Sequence, residues 1–306
     1  MYAEDINYLR QLVDAEWPEG VARPLVAGPD CNPTHDPTWI DSFLSNTQPG
    51  AMTYHNYVGY GLDPLLAQQM MDTSWDFFNA GPQKAEAFIS GWQNISREEG
   101  TEIWVGEIAA AWHSGQPGVT DKFISSFWYA DALGLLATLN HTVFQRQCLS
   151  GGNYALLALD DSLPQSDFFI AQLYHDFMGK KVMMLDSDGK NDGLRTYAQC
   201  SNESGDGGAT ALLINASPTN TFTVSNIETI IPDTSNAGLY VISAGDGVLD
   251  GWEGLDSRLV HLNGEIVGDK QAAPLPDPME LDAEDFTLPP LTITFVVNGG
   301  GVEFCQ

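Results

Sequence analysis

At 306 residues and 43% hydrophobic content, the chain can bury a sizeable core and fill one large domain or two ordinary ones. Lys and Arg total 12 against 41 Asp and Glu, a formal charge of -29, and no basic run is longer than Lys180-Lys181. So little positive charge neutralises a phosphate backbone poorly, which makes nucleic acid and anionic membrane surfaces poor partners.

In chain order, the opening MYAEDINYLRQLV has the spacing of an amphipathic helix rather than of a signal peptide. The apolar runs PLVAGPD (24–30), AMTYHNY (51–57), EIWVGEI (102–108) and HTVFQRQ (141–147) predict four buried strands. Helical patterns start near Pro37, Leu62, Pro82 and Gly118, and LPQSDFFIAQLYHDFMG (163–179) predicts a further helix. Repeated strand-then-helix order implies parallel strands. Four such units make half of a closed barrel, which takes eight. Beyond residue 180 come KVMML, LRTYAQC, ATALLIN, TFTV, LYVISA, RLVHLNGEIV and TITFVVN, separated by Gly, Pro, Asn and Asp turns, the spacing of an antiparallel sandwich. Residues 186–192 resemble a calcium loop superficially but lack its bidentate Glu, so a hairpin turn is expected there. No apolar stretch reaches the ~18–20 residues of a transmembrane span.

The four cysteines, Cys31, Cys148, Cys200 and Cys305, show none of the short spacings of zinc or iron–sulfur sites, and no metal is expected. Sequons at Asn94, Asn140, Asn202 and Asn215 are candidate glycosylation sites. They point to the secretory pathway, with an extracellular, lysosomal, vacuolar or membrane-associated destination.

In parallel strand–helix folds, chemistry sits at the C-terminal ends of the strands. Three strand ends carry suitable residues: Tyr54-His55-Asn56-Tyr57, Gly106-Glu107, and Arg146-Gln147 before Ser150-Gly151-Gly152-Asn153-Tyr154. Glu107, delivered by the apolar run that precedes it, is a candidate nucleophile. The alternative is a buried ion pair with Arg146 from the adjacent strand. The two are compatible, because a catalytic carboxylate needs neighbours that keep it ionised.

WVGEIAAAW, VTDKFISSFWYADALGLLATLN, FQRQCLSGGNYALL and DFFIAQLYHDFMGKKVMML resemble glycoside hydrolase family 79, which contains heparanase and related β-glucuronidases, and the likeness runs on to TITFVVNGGGVEFCQ. The resemblance implies a (β/α)8 barrel with an acid/base Glu after the fourth strand, a nucleophile Glu after the seventh, and a β-sandwich alongside. EIWVGEI then corresponds to the seventh strand and Glu107 to the catalytic nucleophile. In the same register His55 and Tyr57 line the site from the sixth strand. Gln147, Gly152 and Tyr154 follow the eighth and help hold the uronic-acid carboxylate, for which a tyrosine hydroxyl and backbone N–H groups are suitable donors. Trp112 stands where the family commonly has tyrosine, and His113-Ser114 where it has glycines. Cys200 and Cys305 fall where the family joins an early sandwich strand to the C-terminus, so a disulfide is implied there, with Cys31 and Cys148 left as free thiols. No cofactor is implied.

The expected fold is therefore α/β plus all-β: strands five to eight of a partial (β/α)8 TIM barrel over residues 1–180, then a C-terminal antiparallel β-sandwich over residues 181–306. The Asn-Glu-Pro motif that bears the family's acid/base does not occur in this sequence. Asn202-Glu203 lies in the sandwich part and reads as a surface loop. The expected function is a retaining glycoside hydrolase acting on β-glucuronides or other glucuronic-acid-containing glycans, truncated before its acid/base, inactive in isolation, and partnered by a complementing N-terminal segment. The acidic surface argues against a densely sulfated substrate. The alternative is a catalytically inactive heparanase-like homologue that binds carbohydrate or a partner protein.

Overall fold

The structure, a computed structural model, describes residues 2–32, 37–47, 49–72, 101–185, 193–202, 207–235, 237–245, 254–271, 274–281 and 285–306. Its first part runs α1 (Tyr2–Glu16), β1 (Ala27–Cys31), α2 (Pro37–Asn46), β2 (Ala51–Tyr60), α3 (Leu66–Met70), β3 (Glu102–Trp112), α4 (Phe123–Thr138), β4 (Val143–Arg146) and α5 (Ser166–Phe177). The four strands pair in parallel in the order β1-β2-β3-β4. The helix expected near Pro82, the sequon at Asn94 and the turn at 186–192 lie outside the described residues.

Two helices begin later than their sequence pattern suggested, each behind a turn that an aspartate side chain ties. Asp63 accepts a hydrogen bond from Leu65 N at 2.9 Å ahead of α3, and Asp121 accepts one from Gly118 N at 2.6 Å ahead of α4. No side chain caps α4. Instead Phe123 N and Ile124 N donate to Ser257 O and Leu255 O at 2.8 and 2.9 Å, so carbonyls from the antiparallel part satisfy the helix's orphan donors.

The changeover comes at Met178. There follow β5 (Met178–Met183), β6 (Leu194–Ser201), β7 (Ala209–Asn215), β8 (Phe222–Ser225), β9 (Gly238–Ala244), β10 (Val260–Leu262), β11 (Glu265–Val267), β12 (Met279–Glu280), β13 (Asp285–Leu288) and β14 (Thr292–Gly299). A wide sheet runs β11-β10-β9-β14-β7-β6-β5, with β12 also paired to β9, while β8 and β13 make a separate ribbon. Alternation sends Leu212 and Ile214 of β7 to the core shared with α4 and α5, and Ala211 and Leu213 to a second core closed by Leu288, Phe222, Val224 and Phe286. The sandwich is thus unequal, a broad sheet against a two-stranded cover.

Helix α4 is apolar nearly all round because it lies between β3 on one side and β6 and β7 on the other. Its one acid, Asp131, is fully buried, accepts a hydrogen bond from Tyr197 OH at 2.6 Å and pairs with Arg195 Nε at 3.4 Å. Burial raises the Asp131 pKa, and Arg195 and Tyr197 oppose that shift. A side chain at Gly134 would meet the Tyr197 ring at 2.3 Å, so only glycine lets the helix come this close to β6.

The outer edge of β1 is not left bare. Gly28 packs near Ile6 and Phe43, and Tyr2 OH donates to Pro29 O at 3.3 Å, so α1 covers part of the edge. A Cys200–Cys305 disulfide with Cα atoms 5.3 Å apart ties the C-terminus to β6, and Cys31 and Cys148 are unbonded. Asn140 and Asn202 are exposed. Asn215 is not a usable glycan acceptor in the folded chain: it is fully buried, and its Nδ2 donates to Asn220 O, Leu288 O and Pro289 O at 2.8, 3.0 and 2.8 Å. A sequon records only spacing, and here the asparagine serves as a strand-end brace.

Behind the parallel sheet, the largely buried His141 gives Nδ1–H to Leu136 O at 3.0 Å, so its Nε2 accepts from Tyr54 OH at 2.7 Å. Burial lowers its pKa from 6.5 to about 4. Between those values the unfolded chain binds a proton that the folded chain refuses, so stability falls as pH drops from 6.5 towards 4, by ~3 kcal/mol in all. Unfolding free energies measured by urea titration across that range are expected to slope less in His141→Gln than in the parent chain. Equal slopes would contradict the assignment.

Candidate active site

Register shifts cross the parallel sheet along one line. They fall between Pro29 and Cys31 on β1, between Tyr54 and His55 where β2 meets β3, and between Val105 and Ile108 where β3 meets β4. Asp30 and Gly106 are the extra residues in the first two. Bulges of this kind re-aim side chains and recur beside active sites. Here they bring Asp30, His55 and Glu107 together: His55 Nε2 lies 3.3 Å from Asp30 Oδ2, and His55 Nδ1 lies 3.8 Å from Glu107 Oε1. Asp30 has a left-handed backbone, φ 55°. A Cβ on Gly106 would fall 2.0 Å from Asp30 Oδ1, so the glycine before Glu107 makes room for that carboxylate.

Tyr57, two residues along β2 from His55, donates its hydroxyl to Glu107 Oε1 at 2.5 Å. Burial, then the Glu107 hydrogen bond, raise the Tyr57 pKa, and a hydrogen bond with Tyr154 adds to the shift, so the phenol keeps its proton for Glu107. The Glu107 side chain is 33% exposed and lies mid-strand, because β3 runs on to Trp112 rather than ending at 108.

Arg146 does not pair with Glu107, so the alternative reading of that glutamate fails. The guanidinium turns away to Asp167 of α5, 2.5 Å from Oδ2, and lies over the Tyr129 and Trp128 rings at 4.2 and 5.4 Å. Ser126 Oγ also donates to Asp167, at 2.7 Å. Arg146 Nη2 donates to Tyr154 O at 2.7 Å, which sets the start of the chain after the 151–154 loop. That loop is locked to the one after β3. Asn153 N donates to Ser114 O at 2.7 Å, and Thr120 Oγ1 donates to Asn153 O at 2.6 Å.

His113 and Ser114 have φ of 65° and 64°, and Gly115 and Gly152 have 73° and 74°. The left-handed backbone expected of glycines is thus kept by residues with side chains, at a cost of about 1–2 kcal/mol each. Gly152 and Tyr154 sit together beside Ser114, whereas Gln147 extends the ladder through its N–H to Ile108 O at 3.0 Å.

Two partnerships have no local signal in the sequence. Asp30 reaches His55, and only its place at the close of PLVAGPD marks it as a candidate. Tyr60 and Trp112, at the last residues of β2 and β3, stack with centroids 4.3 Å apart and stay exposed. Among the described residues no three His, Cys, Asp or Glu side chains are arranged to hold a metal ion.

Residues 1–134 match the model of the glycosyl hydrolase family 79 N-terminal domain. The chain belongs to glycoside hydrolase family 79. Among family 79 relatives, it is 30% identical to baicalin-β-D-glucuronidase of Scutellaria baicalensis over 99% of this chain and 55% of that one. It is 36% identical to heparanase-like protein 1 of Arabidopsis thaliana over 74% of this chain and 41% of that one. The chain thus spans about half the length of the relatives it matches. Its fold is shared with solved glycoside hydrolases. A family 51 α-L-arabinofuranosidase of Bifidobacterium longum superposes with TM-score 0.56 at 12% identity, over 97% of this chain and 62% of that one. A 4-O-α-L-rhamnosyl-β-D-glucuronidase of Fusarium oxysporum gives 0.51 at 15%, over 84% and 55%.

Proposed function

We propose that these residues are strands five to eight of a (β/α)8 barrel and its β-sandwich, from a retaining glycoside hydrolase of glucuronides in which Glu107 is the nucleophile. The observation that carries this is the Tyr57–Glu107 hydrogen bond: a partly exposed carboxylate at the β3 bulge, held by a phenol at 2.5 Å and not neutralised by Arg146. The carboxylate would attack the anomeric carbon to form a glycosyl ester, while His55, Tyr57 and Tyr154 hold it and the sugar. Gly152 and the left-handed 113–115 turn beside it suit close approach of the uronic carboxylate, and the charge of -29 favours a glycan with little sulfate.

Retention needs a second carboxyl group about 5–5.5 Å away to protonate the leaving oxygen. The Asn-Glu-Pro segment that supplies it in the family is not among these residues, so in this reading the proton donor and the complementing strands come from chain outside them. The sequons at Asn94, Asn140 and Asn202 accord with a secretory route.

A 2-deoxy-2-fluoro-β-glucuronosyl fluoride tests the nucleophile without the acid. As Glu107 bonds to C1 the C–F bond breaks and fluoride leaves with the electron pair, needing no proton. One fluoroglucuronosyl adduct on Glu107 is expected by peptide mass, and none in Glu107→Gln. An unlabelled parent chain that still binds glucuronides would instead favour a non-catalytic carbohydrate-binding homologue.

A further inference from the structure

We propose that Asp30 is a positioning residue that acts on Glu107 through His55; the role, though not the contact, rests on the reading of Glu107 as nucleophile. His55 lies between two carboxylates, nearer to Asp30 at 3.3 Å than to Glu107 at 3.8 Å. Its two ring nitrogens are divided between them, Nε2 on the Asp30 side and Nδ1 on the Glu107 side. Asp30 therefore sets the placement and tilt of the ring that walls one side of Glu107, while the Tyr57 hydroxyl holds the other. The titratable groups around His55 are Asp30 from β1, Tyr57 from β2, Glu107 from β3 and, behind Tyr57, Tyr154 from the loop after β4.

Two further observations single out Asp30 as built for this. It is the extra residue of the β1 register shift, with a left-handed backbone, the kind of strained position that persists where surrounding structure over-determines it. Its other oxygen occupies the space a side chain at Gly106 would fill, so it also abuts the backbone that presents Glu107. When Glu107 becomes an ester it loses its charge. Asp30 keeps the ring in place for the return step.

The test is a double-mutant cycle read by the rate of Glu107 labelling with the fluoroglucuronosyl fluoride. Asp30→Asn is expected to lower the first-order labelling constant on the order of 10²-fold, the scale of a misplacement of about 1 Å, with little change in the reagent's binding constant. His55→Gln is expected to do the same, and the double variant no worse than the poorer single. Asp30→Glu is expected to recover part of the rate. Additive losses, or an unchanged rate in Asp30→Asn, overturn the proposal.

Ring 15N shifts of His55 give an independent readout that survives misfolding of any one variant and does not need labelling. The ring shifts of the parent are expected to change in Asp30→Asn, and identical spectra overturn the contact. An unlabelled parent chain removes the nucleophile itself, and with it the action of Asp30 on Glu107, whatever the spectra show of His55.

Discussion

Asp167→Ala is expected to destabilise the chain by about 3–5 kcal/mol, because it leaves Arg146 charged and unpaired in a site where both side chains are about 5% exposed or less. The aromatic faces of Tyr129 and Trp128 offset only part of that. The loss reaches the candidate site through one hydrogen bond, Arg146 Nη2 to Tyr154 O, since Tyr154 partners the Tyr57 that holds Glu107. Urea unfolding of parent and variant measures the first effect, and the labelling rate of Glu107 measures the second. A stability change under ~1 kcal/mol, the range of exposed ion pairs, would show that the pair does not hold the strand end.

Breaking the Cys200–Cys305 bond, by Cys200→Ser with Cys305→Ser, is expected to cost about 4–5 kcal/mol in the chain-entropy account, since the bond closes a loop with a sequence separation of 105. The strain falls on a C-terminus otherwise held by few contacts, among them Val302 N to Gly207 O at 2.9 Å and Lys181 Nζ to Phe304 O at 3.2 Å. Thermal unfolding of the double variant, compared with the parent under non-reducing conditions, gives the size of the effect. An unchanged midpoint would mean that these contacts already hold the end in place.

Much of the architecture was legible because burial on both faces leaves a simple mark. PLVAGPD, AMTYHNY and EIWVGEI are continuous apolar runs, and β1, β2 and β3 fall within or across them. The ribbon strand β13 left no such mark: Asp285 and Thr287 face solvent, and only Leu288 is fully buried, so DFTL looks like a loop. Helix starts are not legible where an aspartate turn delays the helix, as before Phe123.

At the site, types of residue were legible and partners were not. Glu107, His55 and Tyr57 announce themselves as polar residues closing apolar runs and Tyr154 in the loop after one, but the partner of Arg146 lies 21 residues further on, in α5, and no local pattern connects the two. Asp30 was hidden for a related reason. Its role depends on Gly106, far away in sequence, having no side chain. Asn215 failed in the opposite sense, a three-residue signal overruled by burial.

The line of register shifts has a consequence of its own. A strand of even pleat would turn Glu107 or His55 towards the helices, so what aims them at one another is the number of residues between fixed rungs of the ladder, two on β3 opposite one on its neighbours. Spacing here is as informative as identity. A homologue that kept every named side chain but lost one residue between Val105 and Ile108 would retain the parts of this site and none of its geometry.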